Sequence, residues 1–519
     1  MHISSLFINT AIFLLLISGF SSKEKFFPPK FFHVLSSLML LWCSLSAILY
    51  VLTPSYFSYI EAHIANLSAY WLRGHGLYTE LLDKNRYSML YGPWPVISEA
   101  IFLLPGVFTI PASKLMGLLN LLITMILFSK LFPKQKFFFL GILCLCFMGF
   151  DNYSYTNRPD SFLIAYTVAA LFLLEHYCAR NSLRIYVFVG VLCGLCEASK
   201  IHGFIYFLPI AAFCFEKKPE TWSWRLFLLT ILMATVFSFL PFLLPQINFW
   251  NFYQWLRATS RHGLSFSLFV DNVTYATPYL VGLYLCGFSN MAKKTYLVLV
   301  LSVFVACLFG SLVGAGTHHL LPFIPLIIYF GSYSYFSLDE RQKTKAQIFL
   351  SAFLLALTYD AFISQKAMVK YFATVPEQIR QFKDLKVLRS KVSGPVEIGY
   401  GENRQLEMSY FKPHFVAHGD SLLVESDALM DMGASRIPLP ESTFRALKTC
   451  QIPYMILPKG GKPWTLTSGF GFRLFPDDWI NEFQKDYSPI ENSEYYSLYQ
   501  CTQGELSGCK AKRSRYTEF

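Results

Sequence analysis

Two runs, residues 53–78 (TPSYFSYIEAHIANLSAYWLRGHGLY) and residues 91–106 (YGPWPVISEAIFLLPG), decide how this chain is read. They follow an apolar stretch, 33–52, long enough to cross a bilayer, and they place an acid, Glu61, a few residues beyond its end. Basic, histidine and aromatic side chains come next. Apolar residues at helical spacing in IEAHIANLSAYWLRGHGLY, ending at a glycine, predict a short amphipathic helix lying on the membrane surface. PWPVISEAIFLLPG is bracketed by proline and glycine and is short for a crossing, so it predicts a second surface-lying or re-entrant helix. Loop 53–110 therefore reads as a segment that does chemistry at a membrane surface.

Working outward, 519 residues that are 54% hydrophobic and 15% charged exclude an ordinary soluble enzyme and imply an all-α polytopic membrane protein. Strands of a membrane barrel would alternate apolar and polar residues, and these runs do not. Helices fit residues 4–20, 33–52, 112–131, 136–150, 161–178, 185–198, 203–215, 225–245, 273–288, 295–313, 318–336 and 346–363, about twelve crossings. The net charge of +11 sits mostly in alternate short breaks such as KLFPKQK and DERQKTKAQ. That is a topological pattern, not a nucleic-acid footprint, and it puts loop 53–110 and both termini outside. Lys23 and Lys25 follow the first helix, which reads as retained.

The composition changes near residue 364, so residues 1–363 form the membrane module and 364–519 a small α/β domain outside the membrane. GPVEIGY, HFVAHG, SLLVES and IPYMILP read as strands, and PESTFRALKTC as a helix. Most cysteines lie in apolar runs as small core residues; Cys450, Cys501 and Cys509 allow one disulfide in the outer domain, with the pair left open.

The breaks assigned to the outer side carry most of the hydrogen-bonding and titratable groups: loop 53–110, DNYSYTNRPD, EASKIHG, residues 245–272 and VGAGTHHLLP. Acids, cations and histidines gathered on one face of a helical bundle make a candidate active site. Each residue also has a plainer reading. Asp160 beside Arg158 suits a helix N-terminus, and Lys200 has Glu197 three residues away. Arg257, Arg261 and His262 lie among Trp250 and Trp255 in a segment that also suits interface anchoring. His318 and His319 open an apolar run. No metal-ligand spacing and no glycine-rich phosphate loop is present, which disfavours direct use of a nucleotide sugar.

In their order these features resemble the polytopic glycosyltransferases of the GT-C fold, of the protein mannosyltransferase and aminoarabinose transferase type. LRGHGLY stands where the family has a pattern like QGHGPY. NRPDSFLIAYTVAALFLL is similar to its R-P-D segment, GLCEASKIHGFIYFLP to its T-K-G segment, and HHLLPFIPLIIYF to its late H-Y-L-L-P segment. The chain departs in having Glu61 where Asp is commoner and Tyr91–Gly92 before Pro93. The resemblance spans about residues 33–340. It implies a polyprenyl-phosphate-linked sugar donor, a lipid, glycan or protein acceptor, and an inverting transfer on the periplasmic face of a bacterial inner membrane. It casts Glu61 as general base and Asp160 as acceptor-orienting acid, the two also serving any divalent metal. Arg158, Lys200 and His318 or His319 fall on its motifs as expected ligands of substrate and phosphate; Arg257, Arg261 and His262, read from their own aromatic-rich loop, are alternative phosphate ligands. A transporter or lipid flippase of similar helix number is the alternative from another class.

Overall fold

The computed structural model describes residues 29–103, 109–150, 153–177, 183–217, 223–469 and 471–502. The expected first helix, 4–20, and Cys509 lie outside these. In chain order the membrane part contributes α1 (Pro29–Leu52), α2 (Tyr59–Leu72), α3 (Trp94–Ala100), α4 (Ile110–Leu131), α5 (Lys136–Met148), α6 (Pro159–Tyr177), α7 (Leu183–Glu197), α8 (Leu208–Lys217), α9 (Trp224–Phe239), α10 (Phe249–Thr259), α11 (Phe266–Leu285), α12 (Phe288–Met291), α13 (Lys293–Phe309) and α14 (Phe323–Tyr335). A long helix, α15 (Glu340–Ala373), leads out of it, through the expected boundary at 363/364.

Four helices among the described residues are long and apolar enough to cross a bilayer: His33–Leu52, Ile110–Leu131, Trp224–Leu243 and Glu340–Ala373. The twelve crossings expected from the sequence are therefore not all matched by helices of spanning length. Several apolar runs are broken: 203–215 becomes a 3-10 turn, Gly203–Tyr206, before α8, and 318–336 becomes a 3-10 turn, Thr317–Leu320, before α14. Prolines at Pro209 and Pro322 sit at these breaks, where the missing N–H and ring clash end regular winding. Large apolar side chains left exposed on α1 and α9, such as Leu41 and Leu228, form the lipid-facing surface of an integral membrane protein.

The C-terminal domain, called the outer domain after its expected side, adds α16 (Val375–Ser390), β1 (Val396–Ile398), α17 (Lys412–Ala417), α18 (Ser426–Ala434), α19 (Glu441–Lys448), β2 (Tyr454–Pro458), α20 (Asp477–Asp486), β3 (Tyr487–Asn492) and β4 (Tyr496–Cys501). The sheet order is β1-β2-β4-β3, with β1 parallel to β2 and the other pairs antiparallel. GPVEIGY, IPYMILP and PESTFRALKTC form the expected elements, whereas HFVAHG is helical, because Pro413 at a first helical turn starts α17. SLLVES stays out of the sheet; its Val424 pairs instead with Arg86 of the first outer loop. Cys450 and Cys501 form the disulfide, closing the end of β4 onto the residues after α19.

That pairing changes the expected picture of loop 53–110. The Arg86 amide donates to the Leu423 carbonyl at 2.6 Å, and the Glu425 amide donates to the Arg86 carbonyl at 2.8 Å. The Asn66 carboxamide donates to Glu425 at 2.8 Å, and the Arg73 guanidinium to the Val416 and Asp420 carbonyls. Residues Ile60–Tyr70 of α2 are all buried. The expected surface helix is thus covered on both faces, because the outer domain roofs over the side that amphipathicity assigned to water. α3 is buried likewise, and lacks the length of a re-entrant span.

Because backbone bonds tie the loop to the outer domain, both must lie on one side of the membrane. Membrane-impermeant maleimide should label Glu80→Cys and Lys459→Cys from the same face and Lys134→Cys from the other. Labelling of the first two from opposite faces would overturn the topology.

Candidate active site

The site begins with a close approach of two backbones. The Gly92 amide donates to the Ser199 carbonyl at 3.1 Å and the Trp94 amide to the Ala198 carbonyl at 3.0 Å. A Cβ on Gly92 would fall 2.1 Å from the Ala198 oxygen, so the YGPW turn requires glycine here. The contact sets the Tyr91 ring over the Lys200 ammonium, 5.4 Å from its centroid.

Lys200 leaves the end of α7 and, instead of pairing with Glu197, donates to Asp160 in the first turn of α6 at 2.8 Å. The Arg158 Nε lies 3.3 Å from the other Asp160 oxygen, and its guanidinium stacks 3.8 Å from the Tyr153 ring centroid. Asp160 is fully buried, and Arg158 and Lys200 nearly so. Burial pulls the Lys200 ammonium down while the Asp160 charge pushes it back up. His318 meets the Tyr153 ring edge-on, and His319 shares a 2.9 Å hydrogen bond with His202. Burial, with Lys200 and Asp160 pulling in opposite senses, lowers His202 to about 3 and holds His318 well below its usual range. Burial and the Lys200 charge do the same to His319, which disfavours a charge on any of the three imidazoles. One carboxylate therefore faces two cations in a nearly dry enclosure.

Glu61 occupies a different niche, at the start of α2. Its carboxylate accepts from the Tyr50 hydroxyl at 2.7 Å and from the Phe57 and Ser58 amides at 3.0 and 2.8 Å, the last being a helix N-terminal cap. Burial pushes this carboxyl up; the Tyr50 hydroxyl, the Ser58 amide and Lys114 pull it back. Lys114, in α4, is fully buried, and its ammonium donates to the Tyr50 and Thr53 carbonyls at 3.0 Å, to the Thr53 hydroxyl at 2.8 Å and to the Ser55 carbonyl. It pins the turn that leads into Glu61.

The remaining expected ligands divide. His262 spans the junction with the outer domain, between the Val313 carbonyl at 3.1 Å and the Asp431 carbonyl at 3.0 Å. Arg257 and Arg261 are exposed on and just beyond α10, and the structure does not draw them into the buried cluster; α10 buries Trp255, whose indole donates to the Thr79 carbonyl at 2.8 Å, and turns its arginines outward. Sequence reasoning passed over Lys114, Glu99 and His63. The signal for the first two was a lone charge inside an apolar run. Among the described residues no group of three or more His, Cys, Asp or Glu is arranged to hold a metal ion, and Asp160, already held by two cations, does not fit a divalent metal.

Residues 98–245 match the family model described as dolichyl-phosphate-mannose-protein mannosyltransferase. The fold is similar to that of ArnT from Cupriavidus metallidurans. For its apo state the identity is 13% and the TM-score 0.51, over 89% of this chain and 97% of that one. For its complex with undecaprenyl phosphate the values are 12%, 0.53, 90% and 97%. A weaker likeness, with TM-score 0.40 and 10% identity over 83% of this chain and 70% of the other, is to the apo oligosaccharyltransferase of Archaeoglobus fulgidus. No curated protein sequence matches significantly. The GT-C resemblance read from the sequence is supported by the family match and by the fold, and the transporter alternative is not favoured.

His63 provides a test of how the site is roofed. Its Nδ1 meets the Asp427 carboxylate at 3.0 Å and its Nε2 the Tyr87 carbonyl at 2.6 Å, so both nitrogens donate and the ring is charged. Against burial, Asp427 raises its pKa above the usual value. The stabilisation is then complete below about pH 6.5 and is lost as pH rises through the folded value, worth about 1.5–3 kcal/mol at most. The melting temperature of the purified protein should fall from pH 6 towards higher pH, and His63→Gln should flatten that slope. An unchanged slope in the variant would remove His63 from the junction's energetics.

Proposed function

We propose that this chain is a polytopic membrane glycosyltransferase that moves a sugar from a polyprenyl-phosphate donor to a lipid, glycan or protein acceptor at the outer membrane face. The observation that carries this reading is the charge of the buried cluster. Arg158 and Lys200 share one carboxylate, Asp160, and burial disfavours a charge on their histidine neighbours, while Lys114 lies near Glu61. A surplus positive charge out of water is costly unless an anion meets it. A sugar linked to a lipid phosphate is a phosphodiester with one negative charge, and it cannot leave the bilayer. An interfacial cation pair is therefore the appropriate seat for it.

In this reading the donor phosphate lies against Arg158 and Lys200, with His318 and His319 beside it and Asp160 fixing the geometry of both cations. Charge builds on the phosphate as the bond from sugar C1 to the phosphate oxygen breaks, which the two cations stabilise. The acceptor oxygen attacks C1 from the opposite face, giving inversion, and its proton passes to a carboxylate. Glu61 is the proposed base. Its three donors hold it at the head of α2, so it serves only when the Tyr50 contact or the turn at residues 55–58 opens. The Cys450–Cys501 disulfide suits an oxidising compartment and supports a periplasmic site in a bacterial inner membrane.

Undecaprenyl phosphate binding by the purified protein tests the phosphate seat. Lys200→Ala and Arg158→Ala should each weaken it about tenfold to a hundredfold, the worth of a charge-assisted hydrogen bond. Arg257→Ala and Arg261→Ala should leave it unchanged. Equal binding by all four variants and the wild type would sink the assignment.

Glu61→Gln separates base from cap. Loss of turnover by about 10²-fold, with the melting temperature held, is expected of a general base. A fall in melting temperature with turnover preserved in the remaining folded protein would make Glu61 a cap alone.

A further inference from the structure

Against the chain that leads into Arg158 lies a further carboxyl group that the proposed reaction does not use. Glu99, in α3, and Asn157, immediately before Arg158, are both fully buried. The Asn157 Nδ2 donates to the Glu99 Oε2. Two atoms of the same pair, the Glu99 Oε1 and the Asn157 Oδ1, have no hydrogen-bond partner among the described residues. Each is an acceptor when the carboxyl is ionised, and two buried acceptors left unpaired would be costly. A single proton on the Glu99 Oε1 resolves both at once. It donates to the Asn157 Oδ1 and closes a two-bond ring with the existing Nδ2 contact, the usual pairing of a carboxylic acid with a carboxamide.

We propose that Glu99 is a neutral carboxylic acid that clasps Asn157 through two hydrogen bonds and is a positioning residue for Arg158. Burial and the nearby charge of Glu61 both raise the Glu99 carboxyl well above the usual range, in the same sense as the geometry. Of the cations in the neighbouring niches, Lys114 is committed to the Tyr50, Thr53 and Ser55 oxygens and Arg158 to Asp160. A neutral Glu99 fixes the chain next to Arg158 without adding a negative charge to it, and so leaves the surplus positive charge intact. The turn is held from the other side by α4, where a Cβ on Gly117 would lie 2.3 Å from the Tyr155 carbonyl, so Asn157 has little freedom once clasped.

This inference rests on the lipid-phosphate reading of the Arg158–Lys200 pair, and the experiment separates the two. Undecaprenyl phosphate affinity is measured for the wild type, Glu99→Gln, Glu99→Ala, Asn157→Ala and the double alanine variant, each with its melting temperature. Glutamine keeps both bonds of the ring without any charge, so Glu99→Gln should bind within about twofold of wild type. Either alanine variant should bind about tenfold more weakly, and the double variant no worse than the singles, since they remove one clasp. Glu99→Gln binding as poorly as Glu99→Ala, or alanine variants binding like the wild type, would overturn the proposal. A wild type that does not bind the lipid would instead overturn the phosphate seat. The clasp is then still decided by infrared spectroscopy at neutral pH: a protonated-carboxyl band lost in Glu99→Gln is expected, and its absence from the wild type would refute a neutral Glu99.

Discussion

Two cations and one carboxylate share a space that water scarcely reaches, and much of the outer half of the molecule is arranged to keep them there. An isolated buried ammonium would lose its proton or draw in solvent; the Lys200–Asp160 contact at 2.8 Å and the Tyr91 and Tyr153 rings over the two cations oppose both. Every partner comes from a different stretch of chain. Tyr91 is delivered by the Gly92 crossing, Asp160 by the first turn of α6, Lys200 by the end of α7, and the histidines by the 3-10 turns before α8 and α14. The short, broken helices are consistent with this demand, since a straight span ending in the same place would carry its side chain past the cluster.

Much of this was legible in the sequence, for physical reasons. Alternating charge and long apolar runs pointed to the membrane class. The R-P-D and S-K segments named Arg158, Asp160 and Lys200, because a charge at the end of an apolar helix is costly to keep there unless a partner or a ligand meets it. What did not show was the partner of each. Lys200 had Glu197 within one helical turn, yet the helix ends at Glu197 and the lysine swings to a residue forty positions earlier. Arg257 and Arg261 looked equivalent to Arg158 in composition; the burial of Trp255 turns the face of α10 and leaves both outside.

The amphipathic reading of α2 failed for a different reason. Periodicity reports which face is apolar but not what covers the polar one. His63 and Asn66, which sequence alone assigns to water, are the side chains that receive Asp427 and Glu425 of the outer domain. A polar face met by a second polar surface looks the same in sequence as one met by solvent. The count of twelve helices is matched at spanning length by four among the described residues, since hydropathy sees apolar content and not breaks such as those at Pro209 and Pro322.

α15 has one more consequence. Its 34 residues extend about 51 Å at 1.5 Å per residue, well beyond the hydrocarbon core of about 30 Å, and its outer end holds Tyr371. That phenol bonds Thr53 and Ser55, in the turn gripped by Lys114 just ahead of Glu61, and after Thr374 the next helix, α16, leads into the outer domain. The rod that leads into the outer domain thus also meets the turn ahead of Glu61, so the roof and that turn share one support.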